Sequence, residues 1–302
     1  MIEALLFLYG LVVGSFLNVC IHRLPRHESV IQPRSRCPQC NHAIAAYDNI
    51  PLMSYLLLRG RCRHCRARIS PLYLFVELAT GLLALFLYAA FGLTAAFAKA
   101  ATLGAALLVL TVTDWRERLL PDRVTFPGMI LGLVFSLIAP VNDGTAFLLA
   151  RLLGFPEIPL PLESLFDSLL GAGFGSGFVY FLGEAWLRLR KREAMGFGDV
   201  KMMAMVGFFL GTKLTLLTIF MGSAVGAVMG VGWIVLLVSR PSYYKRVQRH
   251  FRHISALPLY FTLIIHKQGR FKVPFGCFLG VAAMAAAVWG RPILQWYLGY
   301  FG

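Results

Sequence analysis

The chain has 302 residues, 58% of them hydrophobic and only 14% charged, with a mean hydropathy of +0.69. A soluble domain of that length needs far more polar surface, so the composition points to a chain that crosses a bilayer several times. The formal net charge of +15 would suggest nucleic acid in a soluble protein, but the arginines cluster in a few loops with no aromatic-rich basic module, so the positive-inside rule accounts for them and no nucleic-acid partner is expected.

The first apolar run extends from Ile2 to Ile21. No basic residue precedes it, and Arg23 and Arg26 follow it, which predicts an uncleaved first transmembrane helix over residues 1–21 with its N-terminus outside. Gly14 and Ser15 allow close helix contact, and Asn18 at this depth needs a partner on a neighbouring helix.

Residues 22–71 are polar and carry nine arginines against two acids, Glu28 and Asp48. They predict a small cytoplasmic domain. It holds two CxxC pairs, Cys37-Pro38-Gln39-Cys40 and Cys62-Arg63-His64-Cys65. Paired knuckles at this separation fit one tetrahedral zinc ion held by Cys37, Cys40, Cys62 and Cys65, with no position left open for chemistry. Disulfides are the competing reading, and a reducing cytoplasm disfavours them. A domain this small gains folding energy from such a metal. Cys20 and Cys277 lie in or beside apolar segments and read as packing residues. Between the knuckles, the second half of Tyr47 to Gly60 reads as a short amphipathic piece lying on the membrane.

Residues 72–302 predict a membrane domain. The second span, Leu72 to Phe91, contains Glu77, expected to pair with an arginine near the cytoplasmic face. The third ends at Thr113. In the inner loop that follows, Pro121 starts the next helix and Asp122 lies in its first turn, where the helix dipole favours a negative charge. The fourth span covers Val124 to Ile138. Ala139 to Glu163 predicts an outer loop with a short interfacial helix. The fifth, Leu165 to Leu187, is crowded with Gly171, Gly173, Gly175 and Gly177, which read as a helix-packing face rather than a nucleotide loop. Glu184 is expected to pair with the basic tract after it. Val200 to Leu210 and Leu214 to Val238 form the sixth and seventh spans, turning at Gly211-Thr212-Lys213. Arg240 to Lys272 has eight lysines or arginines and no acid, and Val273 to Trp289 is the eighth span. The fold class is thus an all-α polytopic membrane protein of about eight transmembrane helices, with a small zinc-binding domain between the first and second.

Two carboxylates lie at the cytoplasmic ends of apolar runs. Asp199 sits in Gly196-Phe197-Gly198-Asp199-Val200-Lys201, and Asp114 ends the run from Ala100 to Thr113. Carboxylates so close to hydrocarbon are costly and usually functional. If the runs pack together, the pair shares a proton; one acts as base on a water while the other, as acid, polarises a peptide carbonyl. That is aspartic-protease chemistry. Read singly, Asp199 is a helix N-cap and Asp114 a surface charge; together, on one side of the membrane, they read as a catalytic pair.

Gly14 to Pro25, the double CxxC domain with YDNIP and LLLRGRC, DWRERLLPD, GFGDVK and VPFG together resemble the bacterial type IV prepilin peptidases. The resemblance keeps the motif order over nearly the whole chain. It implies a bifunctional inner-membrane enzyme that cleaves the basic leader of type IV prepilins and type II secretion pseudopilins on the cytoplasmic side. It also implies N-methylation of the new N-terminus with S-adenosylmethionine, in association with the cytoplasmic domain. It maps the catalytic pair onto Asp114 and Asp199. The sequence departs from the pattern in its long basic segment and in Cys277, where proline is common, and neither departure is expected to touch the catalytic pair. Membrane lipid is the other expected partner. The alternatives are a presenilin-like GxGD intramembrane protease, and a non-enzymatic transporter or secretion scaffold with a zinc domain. Leader recognition is expected to rest on the apolar substrate helix, with Glu117, Asp122 and Glu184 tuning leader charge.

Overall fold

The computed structural model describes residues 1–141, 143–154, 159–191, 196–238 and 274–301. Its helices are α1 (Ile2–Arg23), α2 (Met53–Leu57), α3 (Pro71–Phe91), α4 (Ala95–Glu117), α5 (Asp122–Ile138), α6 (Thr145–Leu152), α7 (Leu160–Arg190), α8 (Phe197–Val238) and α9 (Phe275–Phe301). The basic segment from Arg240 to Lys272 lies outside the described residues.

Among the described residues, six helices are long and apolar enough to cross a membrane: α1, α3, α4, α7, α8 and α9. Eight spans were expected, and two physical facts separate the counts. The expected fourth span, α5, has only 17 residues and carries Pro127 inside it. The expected sixth and seventh spans run as one 42-residue element whose helical geometry breaks at Gly211 (φ 79°, ψ −176°).

That break is a reversal. A Cβ placed on Gly175 of α7 would lie 2.6 Å from a Thr215 side-chain atom and 3.0 Å from the Met203 carbonyl oxygen. In a straight helix residues 203 and 215 would be about 18 Å apart. Two antiparallel legs therefore meet at Gly211, whose positive φ suits glycine. The second leg is capped: the Thr212 and Lys213 amides donate to Asp143 Oδ2 at 2.7 and 3.1 Å. Asp167 of α7 in turn accepts the Gly144 and Ala146 amides at the start of α6. The turn, α6 and α7 are thus tied by two buried carboxylates at the end of the bundle away from the cysteine domain.

Small residues set the helix spacing elsewhere. Gly10 and Gly14 of α1 bring that helix against Gly81 and Glu77 of α3; a Cβ on Gly14 would lie 2.7 Å from the Glu77 Cα. Asn18 donates to the Tyr73 carbonyl at 2.9 Å, the neighbouring-helix bond its depth required. Of the four clustered glycines, Gly171 and Gly175 face the α8 hairpin, while Gly173 and Gly177 meet open space. Leu103, Leu107 and Leu110 of α4 pack with Met202, Met203 and Phe209 of α8 and Leu279 of α9 in the main core. α2 exposes Met53, Leu56 and Leu57, the apolar ridge expected of a piece lying on a membrane.

A residue larger than glycine at 207 would drive into the Gly171 and Ala172 backbone, which has no side chain to move aside. Gly207→Val is expected to stop the hairpin seating on α7, read as loss of a monodisperse species in detergent and a lower thermal unfolding midpoint. Gly177→Ala should leave both unchanged.

Candidate active site and metal centre

Asp114 lies in the last turn of α4 and is 7% exposed. The turn closes when the Arg118 amide donates to the Asp114 carbonyl at 2.9 Å, with Arg118 in the left-handed region. Asp199 is the third residue of α8, also 7% exposed, and its amide donates to the Gly196 carbonyl at 3.1 Å. The start of α9 brings the two together. The Cys277 amide donates to Asp114 Oδ2 at 3.0 Å. A Cβ on Gly276 would lie 2.8 Å from Asp114 Oδ2 and 3.0 Å from Asp199 Oδ1. Both carboxylate oxygens are therefore within 3.0 Å of one point.

The segments around these aspartates touch. Gly198 packs on Leu120; a Cβ there would lie 3.0 Å from the Leu120 side chain. Pro121, expected at the first helical position, is instead the N-cap of α5, while Asp122 lies in the first turn as expected; its two carboxylate oxygens each accept from Lys201 Nζ at 2.8 Å. That ammonium lies over the rings of Phe126 and Phe197, at 5.4 and 5.2 Å. Besides its expected place at the helix start and among the leader-facing acids, Asp122 pairs with Lys201, which adds a link between the two motifs.

Glu77 takes a different partner from the one expected. Its carboxylate accepts the Leu52 amide at 2.9 Å rather than an arginine, which ties the cysteine domain to α3. Glu184 pairs with Arg188, in the basic end of its own helix, at 2.8 Å. Glu117, at the end of α4, is exposed.

The cysteine domain is built from two equivalent turns. The Cys37 amide donates to the His42 carbonyl and Asn41 to Cys37; twenty-five residues on, Cys62 donates to Ala67 and Arg66 to Cys62. Asn41 and Arg66 both take positive φ, 55° and 59°. The Sγ atoms of Cys37, Cys40, Cys62 and Cys65 lie within 4.8 Å of one another, the one such group among the described residues. Cys37 and Cys65 are 3.8 Å apart, close to the ~3.8 Å edge of a tetrahedron with metal–sulfur bonds of about 2.3 Å. The Cys65 and His64 amides, aimed at the Cys62 sulfur, bring that thiol down to about 7, while Cys65, against the pull of the Ala67 amide, is pushed up to about 11 by desolvation and hydrogen bonding to the neighbouring thiols. All six cysteines are free, and the four-sulfur cluster could hold a metal ion. Asp48 locks the connector to the second turn: Arg63 donates to both its oxygens at 2.8 and 2.6 Å and holds its carboxyl below the usual range.

Sequence reasoning singled out both aspartates, which the structure brings to one point, and all four cysteines, which it gathers into one cluster. It missed the part played by Gly276, and its reading of Cys277 as a packing residue clear of the catalytic pair is corrected by the Cys277 amide, which donates to Asp114. The available signal was a Pro-Phe-Gly tripeptide opening an apolar helix, and it did not say which residues that helix would meet.

Residues 8–91 match the bacterial peptidase A24 N-terminal domain and residues 101–231 the type IV leader peptidase family. The chain is 35% identical to a prepilin leader peptidase/N-methyltransferase of Aeromonas hydrophila, over 99% of this chain and 94% of that one. It is 32% identical to one of Pseudomonas aeruginosa, over 98% and 93%. A protein of the same name from Myxococcus xanthus is 38% identical over 75% of this chain and 61% of its own length. No solved structure matches it significantly. With the motifs in the family's order and similarity running the length of both chains, this protein belongs to the type IV leader peptidase family.

Proposed function

We propose that this chain is a prepilin leader peptidase and N-methyltransferase whose catalytic pair is Asp114 and Asp199. The observation that carries the reading is the meeting of these two buried carboxylates across Gly276. At that separation one carboxylate accepts a proton from a water as it attacks the scissile carbonyl. The other, protonated, donates to the carbonyl oxygen, and a proton then passes to the leaving amine. The relatives' shared name supports methyl transfer to the new N-terminus; S-adenosylmethionine supplies the methyl group when bound.

The family resemblance supports type IV prepilins as substrates, with pseudopilins of type II secretion beside them. The domains follow as residues 1–21 for the first membrane helix, 22–71 for the cysteine domain and 72–302 for the peptidase. The arginine-rich cysteine domain and the catalytic ends of α4 and α8 face the cytoplasm of a bacterial inner membrane, and the N-terminus is outside. Membrane lipid covers the exposed apolar faces. Trp289 and Trp296, exposed toward the far end of α9, suit a headgroup boundary. No nucleic-acid partner is needed to explain the charge.

The four cysteines hold one structural zinc ion, with chemistry confined to tying the two turns together. A GxGD protease of the presenilin type does not account for the cysteine cluster, and a transporter does not account for the carboxylate pair.

Asp114→Asn and Asp199→Asn should each lower cleavage of a prepilin by about 10³-fold or more, while the protein still inserts and binds zinc. Normal cleavage by either variant refutes the pair. Asp122→Asn should stay within about tenfold, because its partner bond is half-exposed and such pairs are worth little. Elemental analysis should return one zinc per chain, and serine at Cys37, Cys40, Cys62 or Cys65 should lower that content together with resistance of residues 22–71 to protease. Metal-free protein with an equally protected domain refutes the zinc. For substrates, polar residues in the first turns of the mature prepilin helix should slow cleavage more than neutralising the leader's charges, because apolar burial at roughly 25 cal/mol per Å² outweighs the screened leader pairs. The reverse order would point to an acidic leader-binding surface.

A further inference from the structure

We propose that Gly276 is a positioning residue of the peptidase site: the absence of a side chain there sets the spacing of Asp114 and Asp199. This rests on the catalytic reading given above.

The backbone of α9 enters the site between the two aspartates, and a single methyl group would reach both. It would sit 2.8 Å from Asp114 Oδ2, 3.2 Å from that residue's carboxyl carbon and 3.0 Å from Asp199 Oδ1. Carbon and oxygen do not rest that close, so something has to move. The first turns of α9 have no room to retreat. The Cys277 amide is bonded to Asp114 Oδ2, and its thiol donates to the Thr111 carbonyl of α4 at 3.1 Å. Leu279, fully buried, packs on Gly222 of the second leg of α8, where a Cβ would lie 2.9 Å from it. Gly280 packs against Thr111. The turn is therefore held by α4, which carries Asp114, and by α8, which carries Asp199. With the backbone fixed, the carboxylates are what gives way. A side chain at 276 becomes a wedge between the acid and the base, while the apolar faces that would bind a substrate helix stay as they were.

The consequence is a separable defect. A misplacement of about 1 Å between reacting groups costs on the order of 100-fold in rate, whereas binding made away from the reacting atoms is untouched and shows in KM.

Gly276→Ala is to be purified in detergent and assayed on a prepilin, with Gly226→Ala as control. Gly226 lies on α8 facing α9, and its nearest neighbour would be an ordinary 3.4 Å from a new Cβ. The expected result is a fall in kcat of about 100-fold at a KM within about threefold of wild type, with zinc content, thermal unfolding midpoint and methylation of an already cleaved pilin retained. Gly276→Ser should lose at least as much, and Gly226→Ala nothing. Cleavage by Gly276→Ala within threefold of wild type overturns the proposal. So does a variant that fails to assemble or loses zinc and methylation along with cleavage, because the glycine then serves general packing. A wild-type protein with no cleavage activity refutes the functional reading instead, so the two failures are told apart.

Discussion

Helices in lipid gain little from hiding apolar surface from one another, because the surrounding chains are equally apolar. What holds this bundle is close backbone approach, and the contact between α7 and the α8 hairpin is the one on which the rest depends. Gly171 and Gly207 meet backbone to backbone, and Gly175 sits over both legs at once. That contact fixes the first leg of α8 against α4 and α5, and so decides where Asp199 stands. Without it, two costly carboxylates would remain at the ends of unrelated helices.

The two halves of the molecule use different means to the same end. In the membrane part, glycines let helices close and buried carboxylates bind the loose ends: Asp143 and Asp167 at one end of the bundle, and Glu77 on the Leu52 amide at the other. In the cysteine domain there is little apolar core to close, so four sulfurs, two matching turns and the Arg63 to Asp48 pair replace it. Glu77 joins the two schemes, since the backbone it holds leads directly into α2 and the second pair of cysteines.

How much of this was legible in the sequence follows from how local each signal is. Asp114 and Asp199 stood out because a carboxylate at the end of an apolar run is rare and costly. The cysteines stood out because CxxC spacing is itself a description of a metal turn. The reversal at Gly211 was readable from a glycine between two apolar runs. The count of spans was less so, because α5 is short and the α8 legs are joined through their turn. Least readable were contacts between distant parts of the chain. The Cys277 amide reaches across 163 residues to Asp114, and Lys201 across 79 to Asp122. No periodicity announces such pairs. The partner of Glu77 was misjudged for the same reason, since an amide in a distant loop carries no charge pattern to read.

The hairpin turn gives the first leg of α8 a fixed length. Asp143 pins the amides just beyond Gly211, and Asp199 lies twelve residues before that glycine. The helix between them works as a measuring rod, with depth set by its rise and direction by its phase. One residue added within Val200 to Leu210 would swing the carboxylate by about 100° around the helix axis, and four would bring it back to within about 40° of its bearing but carry it roughly 6 Å along the axis. Many apolar side chains can build this rod, but only one number of residues does. Apart from Gly207, held to glycine by the α7 backbone, apolar side chains in this leg can exchange where its length cannot, and the distance from the capped turn to the acid is the quantity this part of the chain has to keep.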